Sequence, residues 1–183
     1  GVLERDSTLL LSIIYHLNKG VDYSNKALKP EPKPIYPFAV SNATAKDMRS
    51  LQKRMVKKLD YGARAIITQP VYDLENAKEL LALFDEAKEM SVRETAKEAH
   101  LILGQFPIVR AKTANFIDDK VPGISVPKPI IDEMNLAAMD GEDKEQEVGF
   151  ALSKRIFDEM MELHGKVHLM THNRFDLCSE LIG

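Results

Sequence analysis

The chain has 183 residues, of which 44% are hydrophobic and 29% charged, as expected for a soluble domain with a core of its own. A net charge of −3 and the lack of an extended basic surface give no reason to expect nucleic acid as a partner. Neither a membrane-spanning apolar run nor a signal peptide is visible, and the single cysteine, Cys178, excludes an internal disulfide framework, so we expect a cytoplasmic protein.

The first part of the chain predicts two helix-to-strand units. Asp6 and Ser7 are typical N-cap residues for the first helix, and Thr44 with Asp47 has the pattern of a capping box for the second. Between the two units lies a proline-rich loop. The predicted elements are a helix over 7–18, a strand over 35–40, a helix that starts at the Thr44–Asp47 box and stops at Gly62, and a strand over 63–68.

The remaining chain continues the alternation. A third helix is expected after Asp73, which we interpret as its cap, and Gly165 is expected to end the longest helix. Prolines 127 and 129 open a short helix after a turn over 121–124. The other predicted elements are a strand over 99–103, a helix over 112–118, a helix over 144–164, a strand over 166–170 and a last helix from about 173.

Strands that alternate with amphipathic helices predict an α/β fold with a parallel sheet. The sheet could be an open, doubly wound one or a (β/α)8 barrel of the TIM type. No G-x-G-x-x-G follows a strand, which weakens the dinucleotide-binding form of the open sheet. A complete barrel needs eight strands, usually in about 250 residues. A barrel interpretation therefore places half of the strands outside this chain, which we treat as a single domain over 1–183.

Two strand ends carry candidate functional residues. Gln69 follows an apolar strand, and its carboxamide could recognise the edge of a heterocycle or cap the next helix. Arg174 follows the fourth strand in the run Thr171-His172-Asn173-Arg174, where it could bind a carboxylate. The alternative for that run is an Asn173 N-cap followed by a surface arginine.

Two further patterns have simpler explanations. The second helix carries a row of cations that could hold a diphosphate, although a solvated face is the more common origin of such a row. The histidines show no metal-ligand spacing, and His168 and His172 straddle a strand end, so no metal site is expected. The cations are Lys46, Arg49, Lys53, Arg54, Lys57 and Lys58.

Three segments in this order resemble the methylenetetrahydrofolate reductase family. Residues 61–73 resemble the family's Gly-Ala-x-x-x-Ile-Thr-Gln strand, 121–127 resemble its Val-Pro-Gly-Ile turn, and 167–174 resemble its strand ending in Asn-Arg. The opening helix also resembles the one before the family's fifth barrel strand. The resemblance therefore implies the C-terminal half of a (β/α)8 barrel.

Membership would imply an oxidoreductase of one-carbon metabolism and methionine biosynthesis, a flavoprotein that uses FAD to pass a hydride from NAD(P)H to methylenetetrahydrofolate. By the resemblance, Gln69 matches a pterin-contacting residue and Arg174 a folate-contacting one. Lys58 matches a basic residue near the flavin, and Asn42 and Arg54 are further cofactor contacts that the resemblance suggests.

Several positions depart from the family pattern. The family's catalytic Glu and its acidic residue near the flavin ring belong to segments that this sequence does not contain, so the catalytic residue is unknown. Thr113 stands where the family often has a folate-contacting Gln, and the aromatic residue that stacks on folate falls near Phe116 or Ile117.

Three functional classes remain open. The chain could be part of a flavin-dependent folate reductase, a non-catalytic reductase-like half barrel acting as a subunit, or an unrelated α/β binding protein. Because Gly1 is not a methionine, the chain is interpreted as processed, engineered or a fragment. An isolated half barrel would expose two sheet edges and an apolar face, so we expect a homo-oligomer or a partner that completes the barrel.

Overall fold

The computed structural model describes residues 7–183, so the predicted Asp6 cap lies outside the described range. Helices alternate with four strands that form one parallel sheet in the order β1-β2-β3-β4. This confirms the predicted α/β fold. The elements are α1 (Ser7–Leu17), β1 (Phe38–Ser41), α2 (Met48–Asp60), β2 (Ala65–Pro70), α3 (Leu74–Met90), a 3-10 turn (Glu94–Glu98), β3 (His100–Gln105), α4 (Ala111–Lys120), α5 (Lys128–Met139), α6 (Glu142–Leu163), β4 (Val167–Leu169) and α7 (Phe175–Ile182).

The predicted strand over 35–40 was wrong at its start. The side chain of Asn18 accepts from the Ile35 N–H at 2.8 Å and donates to the Ile35 carbonyl at 2.7 Å. Both polar groups of Ile35 are therefore bonded to the end of α1, and Pro37 offers no N–H to a neighbouring strand. β1 consequently begins only at Phe38.

The helix starts also differ from the predicted caps in one place. Asp47, rather than Thr44, is the N-cap of α2, and its carboxylate accepts from the Arg49 N–H at 3.0 Å and from the Ser50 hydroxyl at 2.7 Å. The capping box was therefore placed three residues too early. The Asp73 cap is confirmed, since its carboxylate accepts from the Glu75 N–H at 3.1 Å.

The chain divides into two compact units, which leaves the single-domain organisation a prediction. The first consists of the described residues up to 41 together with 47–67 and 82–101. Here α2 packs on α1 and β1 through a buried row at helical spacing. The Gln52 amide donates to Glu86 of α3 at 2.6 Å, which joins the two helices. The row is Leu51, Met55 and Leu59.

The second unit consists of residues 42–46, 68–81 and 102–183. Its buried polar bonds join the end of β3 to α6. The Gln105 amide donates to the Ser153 carbonyl at 2.7 Å, and the Ser153 hydroxyl accepts from the Ile108 N–H at 2.9 Å. On the same helix, Gly149 lies so close to the loop that an added Cβ would stand 2.7 Å from the Ile108 carbonyl oxygen. These contacts fix the loop that leads from β3 into α4.

None of the helices between residues 7 and 183 combines the length and the apolar composition that a membrane-spanning segment needs.

Replacing Gly104 by alanine tests how closely β2 and β3 approach in the second unit. A Cβ at Gly104 would stand 2.3 Å from the Thr68 carbonyl oxygen and 2.7 Å from the Met170 methyl group. Because one neighbour is backbone, the strands must move, and we expect G104A to lower the free energy of unfolding by about 1–3 kcal/mol. Urea denaturation measures the change.

The exposed Ser125→Ala is the matched control, which we expect to change stability by less than about 0.5 kcal/mol. Equal stability of G104A and S125A would contradict the close approach.

Candidate functional site

A cavity of about 440 Å³ opens in the second unit where strands end and helix α4 passes. Its walls come from the end of β2, the loop after β3, one face of α4 with the turn behind it, and β4 with the loop that follows. Carboxyl ends of parallel strands are where α/β folds place their ligands. The lining residues are Gln69, Pro70, Phe106, Thr113, Phe116, Ile117, Val121, Ile124, His168, Met170, Thr171 and His172.

The polar side chains of this cavity are amide, hydroxyl and imidazole groups set among apolar side chains. Gln69 lies in β2, half-buried, and Thr113 lies in the first turn of α4. A carboxamide has two hydrogen-bond donors and an acceptor, and a hydroxyl can donate or accept a hydrogen bond. The structure thus brings together two of the three predicted substrate residues, in a setting typical of a site for a flat, mostly apolar ligand with a polar edge.

His168 and His172 are cavity residues that the sequence did not identify. His172 has a positive φ of 48°, and its ring contacts Phe106 edge-on at 5.2 Å between centroids. The sequence analysis placed the two histidines on either side of a strand end and considered them only as metal ligands. In the structure β4 ends at Leu169 and the chain turns. The available signal was the polar run that starts at Thr171, directly after the strand.

The α4 wall is held by an ion pair at the start of the helix. Glu145 of α6 accepts from the Ala111 N–H at 2.7 Å and from the Arg110 guanidinium at 2.9 Å. Both bonds hold the pKa of the Glu145 carboxyl below its usual range, and the bond from Arg110 has the larger effect. The helix so anchored carries Phe116, which is 59% exposed, and the buried Ile117. Both candidates for the aromatic position therefore line the cavity.

The predicted turn over 121–124 forms another wall. Gly123 has a φ of +85°, and its carbonyl accepts from the Ala43 and Thr44 N–H groups at 3.0 and 3.1 Å. An added Cβ at Gly123 would stand 2.5 Å from the side-chain Cγ of Asn42. Asn42 itself is exposed and packs behind the turn, outside the lining of the cavity. Its predicted cofactor contact stays a prediction.

Arg174 is the N-cap residue of α7 and does not belong to the cavity lining. Its N–H donates to the Thr171 carbonyl at 3.0 Å, which places it one tight turn beyond the lining. The guanidinium stands 3.7 Å from the Asp176 carboxylate, and both side chains are more than half exposed. The alternative of an Asn173 N-cap was wrong, because Asn173 has a φ of 66° and precedes the cap.

The basic residues predicted for the cofactor lie in the first unit. Arg54 is exposed on α2, as are Arg49, Lys53 and Lys57. Lys58 is half-buried, and its ammonium donates to the Val40 carbonyl of β1. Residues 54 and 58 stand one helical turn apart and share a face of α2.

Among residues 7–183, no group of three or more potential metal ligands from His, Cys, Asp and Glu comes together.

Comparison with protein families gives one match that spans almost the whole chain. The family model described as methylenetetrahydrofolate reductase matches residues 5–183. A comparison with curated proteins found no match.

A solved structure of an uncharacterized protein from Clostridium thermocellum, described as binding two copies of 5-methyl-5,6,7,8-tetrahydrofolic acid, is similar in fold. The TM-score is 0.55 at 23% sequence identity. The alignment covers 85% of this chain and 53% of the other, so this chain spans about half the length of the structure it matches. At this identity the likeness supports the fold.

Removing the charge of Glu145 tests the anchor of the α4 wall. Because the folded-state pKa of Glu145 is lowered, its carboxylate stabilises the fold above the ordinary carboxyl pKa and stops doing so as the pH falls through the folded-state value. We expect Glu145→Gln to cost about 1 kcal/mol of unfolding free energy at neutral pH, with a smaller loss in acid.

Urea denaturation at several pH values measures this dependence. Glu147→Gln removes an exposed carboxylate of the same helix and should cost less than about 0.5 kcal/mol. A loss for E145Q that does not depend on pH would contradict the role given to its charge.

Proposed function

Because the chain belongs to the methylenetetrahydrofolate reductase family, we propose that its cavity binds a reduced folate and that it forms the C-terminal half of a flavin-dependent reductase barrel. The observation that carries this proposal is the cavity at the strand ends, which unites Gln69 with Thr113 beside an aromatic wall. The substrate would be 5,10-methylenetetrahydrofolate, and the hydride would come from NAD(P)H through FAD.

The cavity matches the chemistry of a pterin. A pterin is flat, and one edge carries donors and acceptors in a row, which a carboxamide can match with its own donor and acceptor. In this proposal Gln69 binds that edge, Thr113 contributes a hydroxyl, and the exposed ring of Phe116 stacks on the flat face of the ligand.

Arg174 supplies the charge that the cavity lining lacks. Its pair with Asp176 joins two exposed side chains at 3.7 Å, which contributes little to stability. The guanidinium could therefore exchange Asp176 for a carboxylate of the folate tail, with two parallel hydrogen bonds. The turn from Thr171 to Arg174 would then determine where the tail leaves the cavity.

The charged face of α2 fits the diphosphate of FAD. Arg54 is exposed, and Lys58 adds positive charge on the same face from its place beside the Val40 carbonyl. In the proposal these two residues hold the diphosphate and Asn42 gives a further polar contact. When bound, FAD would supply the hydride transfer, and this chain's residues would bind and orient the reactants.

Completion of the barrel would come from another segment or another chain. β1 and β4 are the outer strands of the described sheet, and an unpaired outer edge is a template for a further strand. β1 also exposes apolar side chains, with Phe38 53% and Val40 63% accessible. The proposal includes pairing of these edges, in a homo-oligomer or with a completing chain, which would also supply the acidic catalytic residue.

A second candidate is a reductase-like module that binds folate without catalysing its reduction. It is favoured by the cavity lining, in which the described residues offer amide, hydroxyl and imidazole groups but no carboxylate. Folate binding is common to both candidates, whereas flavin binding separates them.

Truncating Gln69 tests the folate site. We expect Gln69→Ala to weaken the binding of 5-methyltetrahydrofolate roughly tenfold, because a buried polar edge of the ligand loses its partner. Phe116→Ala should weaken it roughly threefold to tenfold through lost stacking. Isothermal titration calorimetry with the purified chain gives both dissociation constants.

Gln146→Ala on the exposed face of α6 is the matched control and should bind as the unchanged chain does. The folate proposal is wrong if Q69A and Q146A bind with equal affinity.

A flavin titration tests the cofactor face and the completion of the barrel together. We expect a polypeptide extended at its N-terminus to bind FAD, seen as a shifted flavin absorbance spectrum. Arg54→Gln in that polypeptide should weaken binding roughly tenfold by removing a charged hydrogen bond to phosphate. Lys53→Gln, which differs in position by one residue on α2, serves as control.

Flavin bound by the extended polypeptide alone would mean that the chain is part of the cofactor site. If neither the 183-residue chain nor the extended polypeptide binds flavin, the reductase proposal is refuted and the folate-binding module is left.

A further inference from the structure

The first unit contains a second cavity, of about 270 Å³, that the proposed function does not use. It lies beside residues that precede the strands, since Tyr36 comes before β1 and Arg64 before β2. Tyr15 of α1 and Arg93, which follows α3, complete the walls that matter here. Four separate parts of the chain therefore converge on one small space.

The walls of this cavity are tied together by main-chain bonds. The Arg64 N–H donates to the Pro37 carbonyl at 2.9 Å, and the Arg64 carbonyl accepts from the His100 N–H at 3.1 Å. The Asn18 amide holds Ile35 to the end of α1 through two hydrogen bonds. The segment that carries Tyr36 is thus fixed at both sides, and the cavity is largely preformed.

Positive charge is concentrated around one aromatic ring of the cavity. The Arg93 guanidinium carbon stands 3.9 Å from the centroid of the Tyr15 ring, and the Lys19 ammonium stands 4.3 Å from the same centroid. In the described part of the chain, no carboxylate lies within ion-pair distance of either cation. Arg64 pairs with Glu98 at 2.8 Å, but Glu98 is 73% exposed, so water screens that pair.

The orientation of Arg93 leaves donors for a ligand. Its Nε donates to the Asp60 carbonyl, which fixes the plane of the guanidinium. The Oδ1 atom of the Asp60 carboxylate accepts from the Ser91 hydroxyl at 2.7 Å and from the Val92 N–H at 3.0 Å. The guanidinium also bonds the Tyr15 hydroxyl, and its remaining terminal N–H groups are of the kind that bind a carboxylate or a phosphate.

We propose that this cavity binds a small organic anion, whose carboxylate or phosphate pairs with Arg93 and whose ring packs against Tyr15 and Tyr36. The charge of the cluster favours an anion although the whole chain carries a net charge of −3. The volume admits a small molecule of one ring with its acidic group. The site shares no residue with the folate cavity, so an experiment can disprove either proposal without affecting the other.

The Tyr15 phenol reports on this site. Its hydrogen bonds with Arg93 and Lys19 lower its pKa to about 8, whereas burial raises the pKa of Tyr72. A bound anion would neutralise the two cations and raise the pKa of Tyr15 toward its ordinary value. The chain has five tyrosines and no tryptophan, so tyrosinate absorbance follows all five phenols, and a variant without the Tyr15 hydroxyl identifies its share.

The experiment titrates the 183-residue chain with base in the presence of benzoate or phenyl phosphate. We expect one of these probes to raise the pKa of Tyr15 in a saturable way, and their relative affinities distinguish a carboxylate site from a phosphate site. Benzyl alcohol, which has the ring without the charge, should have no effect. Tyr15→Phe should remove the low-pKa titration and so assign it.

Arg93→Gln should weaken the probe that binds by roughly tenfold or more, and Arg93→Lys should retain part of the affinity. Arg155→Gln on α6 removes an exposed charge elsewhere and should leave binding unchanged. The proposal is overturned if neither anion gives a saturable shift, if R93Q and R155Q weaken binding equally, or if inorganic phosphate binds as tightly as phenyl phosphate and benzoate does not bind.

Discussion

The close approach of β3 to the end of β2 at Gly104 is the constraint on which the candidate site depends. The Gly104 N–H donates to the Thr68 hydroxyl at 2.9 Å, and its carbonyl accepts from the Val71 N–H at 2.9 Å. These bonds fix the segment in which Gln69 lies. In the register of β3 with β4, Gly104 also stands beside His168. A residue without a side chain therefore positions cavity residues on two neighbouring strands.

The same strand determines where the helical wall of the cavity stands. One residue beyond Gly104, the Gln105 amide is bonded to α6, and the Ser153 hydroxyl of α6 takes the Ile108 N–H. Because these groups are buried, each bond avoids the cost of an unsatisfied polar atom. These bonds fix the conformation of the loop after β3, and that loop places α4 beside the cavity.

Periodicity in the sequence was sufficient for the order and type of the helices and strands, because burial of an apolar face determines both. Periodicity failed at ends of helices and strands where a side chain hydrogen-bonds the main chain, as the Asn18 side chain does with Ile35. Gln69 and Thr113 were found from strand ends and family motifs, and the cavity unites them. The two cavity histidines were missed, since no periodic pattern describes the turn after β4.

That turn shows why local rules fail beside the cavity. His172 and Asn173 are consecutive residues with φ of 48° and 66°, and neither is glycine. Left-handed backbone costs about 1–2 kcal/mol for most residues, although Asn and His tolerate it better than others. The main-chain bonds from Arg174 to Thr171 and from Phe175 to Asn173 hold this conformation, and the His172 ring rests on Phe106. The turn that brings the His172 imidazole to the cavity is therefore built from two residue types that tolerate this conformation, and main-chain bonds hold it in place.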